Sequence, residues 1–201
     1  MLNAVGREIP EEILERTGKE VFQGNNYKDG KAFQKASPKV TPVMRNDHDK
    51  MVKDIHEALV KCNAHDGMTV SFHHHFHDAL VPMIEDGTIV NIESSGVRGK
   101  IGDAISHGKL KGLATMRSHG GRVRAIETGE THIDIAFIGA PSCDEYGNCS
   151  GMGGKTNCGV LSYAYVDAEM ADYVVAVTDC LVDYPNYPAE INQTKVDYVC
   201  V

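Results

Sequence analysis

No stretch of this 201-residue sequence stays apolar for the length of a membrane span, and none stays basic long enough to follow a nucleic-acid backbone. The formal charge of −8 argues against nucleic acid as the main partner. It leaves an acidic small molecule open, because local charge decides that, and Arg98, Arg117, Arg122 and Arg124 all lie near glycine-containing turns. Met1 to Arg16 is rich in Glu and has no apolar signal-peptide core, so a cytoplasmic location is expected. The six cysteines are then expected to remain reduced. Cys143, Cys149 and Cys158 share a loop without the paired spacing of a zinc knuckle, and no metal is expected. Walker A, G-x-G-x-x-G and G-x-S-x-G patterns are missing, which excludes the familiar nucleotide loops and the nucleophile elbow.

What is present is an α/β pattern. Residues 1–47 read as an extended N-terminal arm, with helical potential over Glu11–Arg16 and turn chemistry from Gly24 to Gly30. Residues 48–201 read as one domain, and 42% hydrophobic residues suffice for a sizeable core. Helical spacing runs from Met51 to Cys62 behind Asp47 as N-cap, and further helices are expected over Asp78–Glu85, Lys100–His107 and onward from Arg122. Strands are expected at Met68–Phe72, Thr88–Ile92, Leu113–Arg117, Ile133–Ile138, Val160–Val166, Tyr173–Thr178 and Val196–Val201. Such alternation implies right-handed crossovers and a three-layer, mostly parallel open sheet with helices on both faces.

Two turns combine the same groups. Ser94-Ser95-Gly96-Val97-Arg98-Gly99 and Ser118-His119-Gly120-Gly121-Arg122 each follow a strand and open a helix. Serine hydroxyls, flexible backbone, a guanidinium fork and a helix N-terminus suit carboxylate or oxyanion capture. Ser95, Gly96, Arg98, Gly99, Ser118, His119, Gly120, Gly121 and Arg122 are therefore the expected substrate-binding residues, gathered at the carboxyl ends of strands where open α/β sheets hold ligands. His73, His74 and His75 either present imidazole or backbone N–H groups to a substrate or form an exposed polar loop. Adjacent strand residues point to opposite faces, which makes them a poor metal set. Asp144 to Asn148 reads as a tight turn held by the Asp144 side chain. Asp144, Gly147, Asn148, Gly153 and Gly154 are the expected loop and lid positions, the lid running from Gly151 to Thr156.

In four of its segments the sequence resembles the citrate lyase alpha subunit family, the citrate CoA-transferase component within the wider CoA-transferase superfamily. They are Asp66-Gly67-Met68-Thr69-Val70-Ser71-Phe72-His73-His74-His75-Phe76, Ser95-Gly96-Val97-Arg98-Gly99, Ser118-His119-Gly120-Gly121-Arg122 and Pro141-Ser142-Cys143-Asp144-Glu145-Tyr146-Gly147-Asn148. The first stands where other CoA-transferases carry a Gly-Gly-Phe loop, and the last resembles their Asp-x-x-Gly-Asn turn.

The resemblance implies a CoA-transferase-like lobe that exchanges acetate for citrate on an acyl-carrier-protein or CoA thioester. A citrate lyase beta subunit and an acyl carrier protein (gamma) would be the partners, in an oligomeric complex. The phosphopantetheine-type thioester or CoA would be a co-substrate, with no tightly bound cofactor. Relative to the family, this sequence is expected to lack a long segment between the histidine run and the following helix, and a second similar domain after Val201. It then carries no residue assignable as the catalytic Glu that many CoA-transferases take from that second lobe. A related transferase or hydrolase for another small carboxylate, or a lobe serving only for binding or assembly, are the alternatives.

Overall fold

A computed structural model describes residues 1–3, 6–21, 49–72 and 78–201. The expectations for most of the arm, for Asp47 as a cap and for His73, His74 and His75 lie outside the described residues. In chain order the elements are α1 (Glu11–Thr17), β1 (Met51–Val52), α2 (Ile55–Lys61), β2 (Val70–Phe72), a 3-10 turn (Asp78–Leu80), α3 (Val81–Asp86), β3 (Ile92–Ser94), α4 (Gly99–Ser106) and β4 (Ala114–Met116). They continue with α5 (His119–Glu127), β5 (Ile135–Gly139), β6 (Ser142–Asp144), β7 (Cys149–Ser150), α6 (Tyr163–Met170), β8 (Tyr173–Val177), β9 (Leu181–Val182), a second 3-10 turn (Gln193–Lys195) and β10 (Tyr198–Cys200). The chain divides into two compact units, one of Met1–Lys35 with Phe76–Thr131 and the other of Ala36–His75 with His132–Val201.

The second unit is built on a five-stranded sheet in the order β1-β10-β8-β5-β2, with every pairing parallel. Its central strands are apolar on both faces: Ile135 to Ile138 on β5 and Val174 to Ala176 on β8 are all buried. That pattern is what a parallel sheet covered on both sides demands. Register is pinned at the amino ends of the strands by carboxylates. Asp134 accepts from the Thr69 N–H at 2.7 Å, and Asp197 accepts from the Val174 N–H at 2.7 Å. A one-residue slip would break both bonds.

Helix α2 packs Ala58 onto the sheet, in a core that includes Cys62, Ile135, Phe137 and Val175. The helix begins later than its apolar spacing suggests. Met51 and Val52 are drawn into the sheet edge opposite Val199 and Cys200, and the helix starts behind Asp54. The Asp54 side chain accepts from the Glu57 N–H at 2.7 Å, and the Glu57 carboxylate reaches back to the Lys53 N–H at 2.9 Å. These two bonds satisfy donors that a helix start leaves open.

The expected strand over Val160–Val166 is instead the approach to and first half of α6. Ala164, Val166, Asp167 and Ala168 are buried, and the three-and-four spacing of Ala164, Asp167 and Ala168 is that of a helix face. The short apolar run was compatible with either period. Ser162, which opens this helix, sits at φ 49° and ψ −115°, a region costly for any residue with a Cβ. Ser162→Gly is therefore expected to raise the unfolding free energy by about 1 kcal/mol, strain relief exceeding the entropy glycine adds to the unfolded chain. Thermal denaturation should show a midpoint a few degrees higher; an unchanged or lower midpoint would mean that the backbone there is unstrained.

The same unit carries a small three-stranded sheet, β7-β6-β9, in which β6 runs antiparallel to β7 and parallel to β9. The first unit carries the parallel pair β3-β4, with Ile92 opposite Ala114 and Ser94 opposite Met116. Its core gathers Ile84 of α3, Ile92 of β3, Ile101 of α4 and Leu110. β3 starts at the last residue of the strand expected over Thr88–Ile92. Residues 88–91 are irregular backbone ahead of it, where Val90 O accepts from the Gly112 N–H at 2.8 Å and Asn91 Oδ1 from the Leu113 N–H at 2.8 Å. Both units are thus α/β, with a mostly parallel sheet and crossover helices. Among the described residues no helix is long and apolar enough to cross a membrane.

Candidate functional site

The two serine–glycine corners leave the same end of one parallel pair. β3 runs into Ser94-Ser95-Gly96 and then α4; β4 runs into Arg117-Ser118 and then α5. The Arg117 N–H donates to Ser94 O at 2.9 Å, so the corners are neighbours. In the first, Ser94 Oγ donates to Gly96 O at 2.9 Å and also accepts from the Gly96 N–H at 3.2 Å, closing a tight turn that leaves Ser95 and Gly96 exposed. Arg98 occupies the N-cap position of α4 with an extended backbone and an exposed side chain. Gly99 then takes φ 62°, and a Cβ there would stand 3.0 Å from Asp78 Oδ1. That carboxylate is already accepting from the Lys100 N–H at 3.0 Å.

In the second corner Ser118 caps α5, its hydroxyl accepting from the Gly121 N–H at 3.1 Å. A Cβ on Gly121 would come within 2.9 Å of that hydroxyl, which explains glycine at this position. The helix starts at His119, earlier than the expected Arg122. His119, Gly120, Gly121 and Arg122 therefore form its first turn, in which the Gly121 N–H goes to Ser118 Oγ and the Arg122 N–H to Ser118 O at 2.9 Å. Ser118, His119 and Gly120 are exposed, and Gly121 and Arg122 half-buried. All nine expected substrate-binding residues lie in this one unit. Together they bring hydroxyl, glycine and arginine residues to two neighbouring corners.

Arg117 plays a different part. Its Nε donates to Glu93 Oε1 at 2.9 Å and its Nη2 to Glu130 Oε1 at 2.8 Å, while Arg124 reaches Glu130 Oε2 at 2.7 Å. Burial disfavours charge on Arg117, but the hydrogen bond to Glu130 and the charge of Glu93 outweigh it and raise its pKa. Burial likewise opposes charge on Glu130, and Arg117 overcomes it and lowers that pKa. Pattern reasoning placed Arg117 beside the turns without its partners, because Glu93 and Glu130 are remote in sequence.

The loop positions belong to the second unit. Asp144, 0% exposed, accepts from the N–H groups of Tyr146 (3.0 Å), Asn148 (3.0 Å) and Asn186 (2.9 Å) and from Asn148 Nδ2 at 2.8 Å. Gly147 turns at φ 95°, where a Cβ would collide with Val196 at 2.7 Å. Ser142 Oγ donates to Met152 O at 2.7 Å, and Gly154 lies so near Pro141 O that a Cβ would sit 2.1 Å from it; Gly153 turns at φ 85°. An open recess of about 330 Å³ lies beside this loop, lined among others by Ser142, Met152, Pro185 and Asn186.

Lys50 and Asn186 complete this framework without any sequence signal. Lys50 Nζ is buried and donates to Gln193 O at 2.6 Å and Val196 O at 2.7 Å, with its pKa lowered by burial. Cys143 and Cys149 face each other across β6 and β7 with Sγ atoms 3.4 Å apart. The hydrogen bond with Cys143, and then burial, push the Cys149 thiol well above its ordinary pKa, which makes it unreactive. Among the described residues His132, Asp134 and Asp172 bring ligand-type atoms within 4.8 Å of one another. His132 and Asp172 are exposed, and the cluster lies at the amino ends of β5 and β8 in the second unit.

Parallel strands joined by crossover helices, with small-residue corners at the strand ends, define a CoA-transferase-like α/β fold. An acyl-CoA transferase from E. coli O157:H7, solved as a thioester complex with CoA, has the same fold, with TM-score 0.50 at 17% identity over 81% of this chain and 49% of that one. The chain belongs to the citrate lyase alpha subunit family: the family described as Citrate lyase, alpha subunit (CitF) matches residues 76–201. It is 40% identical over 182 residues to the citrate lyase alpha chain of Klebsiella pneumoniae, covering 75% of this chain and 36% of the relative. It is 39% identical over 201 residues to that of Escherichia coli K12, covering 84% and 39%. A crystal structure from Streptococcus mutans, assigned as the alpha subunit of citrate lyase and in complex with citrate, superposes with TM-score 0.80 at 40% identity, covering 99% of this chain and 44% of that one. The chain thus spans less than half the length of these relatives.

Proposed function

We propose that this chain supplies the carboxylate-binding part of an acyl-carrier transferase that exchanges acetate for citrate on a thioester. The observation that carries this reading is the adjacency of the Ser94–Gly99 and Ser118–Arg122 corners at one end of the β3–β4 pair. A polycarboxylate needs several donors converging from one side, and this end offers the Ser95 hydroxyl, the start of α5 and the guanidinium groups of Arg98 and Arg122, while the Lys100 N–H at the start of α4 is already taken by Asp78. Family membership supports citrate as the carboxylate.

In the exchange, a citrate carboxylate oxygen attacks the acetyl thioester carbonyl and expels the carrier thiolate, leaving a mixed anhydride. The thiolate then attacks the citryl carbonyl and releases acetate, so one thioester is broken and one formed. Backbone N–H groups at a helix start stabilise oxyanions of this kind. The anhydride must be shielded from water, the role proposed for the loop from Gly151 to Thr156 together with the Asp144–Asn148 turn. His73, His74 and His75 are proposed as further contributors. The thioester of an acyl carrier protein or CoA is the co-substrate, and the partners are a citrate lyase beta subunit and an acyl carrier (gamma) subunit in a cytoplasmic complex.

A second reading is a binding or assembly module without turnover, in which the same corners hold a carboxylate that is not transferred. One experiment separates the two: incubation of the chain with citrate and a carrier thioester whose acetyl group is radiolabelled. Citrate-dependent release of acetate supports transfer. Saturable citrate binding without release supports the module, and absence of both removes the carboxylate-binding reading altogether.

A further inference from the structure

The corners have acidic neighbours as well as basic ones. Besides Asp78, held at the start of α4 by the Lys100 N–H, Glu93 immediately precedes Ser94 and Glu130 lies just beyond α5, so two further carboxylates stand behind a surface read here as an anion receptor. Uncompensated, each would repel a polycarboxylate, and at part-buried positions salt screens that repulsion weakly. Compensation is built in. Arg117, with a side chain 13% exposed, spans both carboxylates, and Arg124 takes the second oxygen of Glu130. Thr131 Oγ1 adds bonds to both oxygens of Glu93, at 2.9 and 3.0 Å. The clamp ties the end of β3 to the end of β4 and both to the far end of α5.

We infer that Arg117 is a positioning residue for the two corners, one that does not touch the substrate but fixes their spacing and cancels the charge of Glu93 and Glu130 behind them. Its Nε and Nη2 are committed to the two glutamates, which keeps its charge from serving as a direct ligand as Arg98 and Arg122 are proposed to do. The inference rests on the carboxylate-binding reading above. It adds that affinity for the anion depends on the charge balance behind the receptor as well as on the groups facing it.

Charge balance makes a prediction of sign that a merely structural role does not. Citrate binding to the full chain is measured by isothermal titration calorimetry, with melting temperature recorded for each variant. Arg117→Gln exposes the corners to Glu93 and is expected to weaken citrate by about tenfold. Glu93→Gln keeps the shape and can still accept from Arg117 Nε, yet leaves a surplus positive charge; it is expected to tighten citrate by about two- to fivefold. The double variant Arg117→Gln/Glu93→Gln is expected to return to within about threefold of the parent. Should Arg117→Gln fail to fold, the sign of the Glu93→Gln effect decides. Weakening by Glu93→Gln, or a double variant as poor as Arg117→Gln, would overturn the charge-balancing role while leaving the citrate reading intact. Absence of citrate binding in the parent chain would instead sink the reading and this inference with it.

Discussion

Arg122→Ala is expected to raise the citrate dissociation constant by about one to two orders of magnitude, the loss of a charge-assisted carboxylate contact worth about 1.5–3 kcal/mol. Arg98→Ala should act in the same direction and fall near the lower end. Arg122 is half-buried in the first turn of α5, where its charge is less screened, whereas Arg98 is exposed at the start of α4. Both substitutions leave the β3–β4 pair and the Ser118 cap in place, so thermal stability should hardly move. Calorimetric titration of citrate against each variant is the measurement. Unchanged affinity in both would remove carboxylate capture from this end of the strands, whatever the ancestry of the chain.

The largest loss of stability is expected from Asp144→Ala. Three backbone N–H groups and the Asn148 amide all donate to this one buried carboxylate, and alanine would take away their shared acceptor. A cost of about 3–5 kcal/mol is expected, in line with breaking a buried charged network. Asp144→Asn keeps one acceptor oxygen and should lose less. Urea denaturation of the parent and both variants checks the order. A cost below about 1 kcal/mol for Asp144→Ala would mean that the turn is held by its backbone alone.

The difference between what could and could not be read from the amino-acid string follows from range. The corners at Ser94–Gly99 and Ser118–Arg122 were legible because their signals are local: an apolar run, then small and hydroxylated residues, then a helix. The Asp144 turn was legible for the same reason, its carboxylate bonding residues two and four positions on. Its third backbone donor, Asn186, lies 42 residues away and left no local trace. The Arg117 clamp was hidden likewise, since Glu93 and Glu130 meet it only once β3, β4 and α5 are assembled. Val160–Val166 misled because a short apolar stretch fits both periods, and only contact with the sheet selects the helical one. At Met51 and Val52, pairing with the last strand overrode a helical spacing that was locally sound.

That last pairing bears on how the molecule is made. Among the described residues β1 forms its ladder with β10 alone, and the Val199 N–H donates to Lys50 O at 2.8 Å. A nascent polypeptide therefore carries residues 49–52 without their neighbour until residues 198–200 have emerged from the ribosome. Closing so long a loop makes this edge a late event in assembly. During synthesis the earliest-made strand of the sheet is the last to find its place.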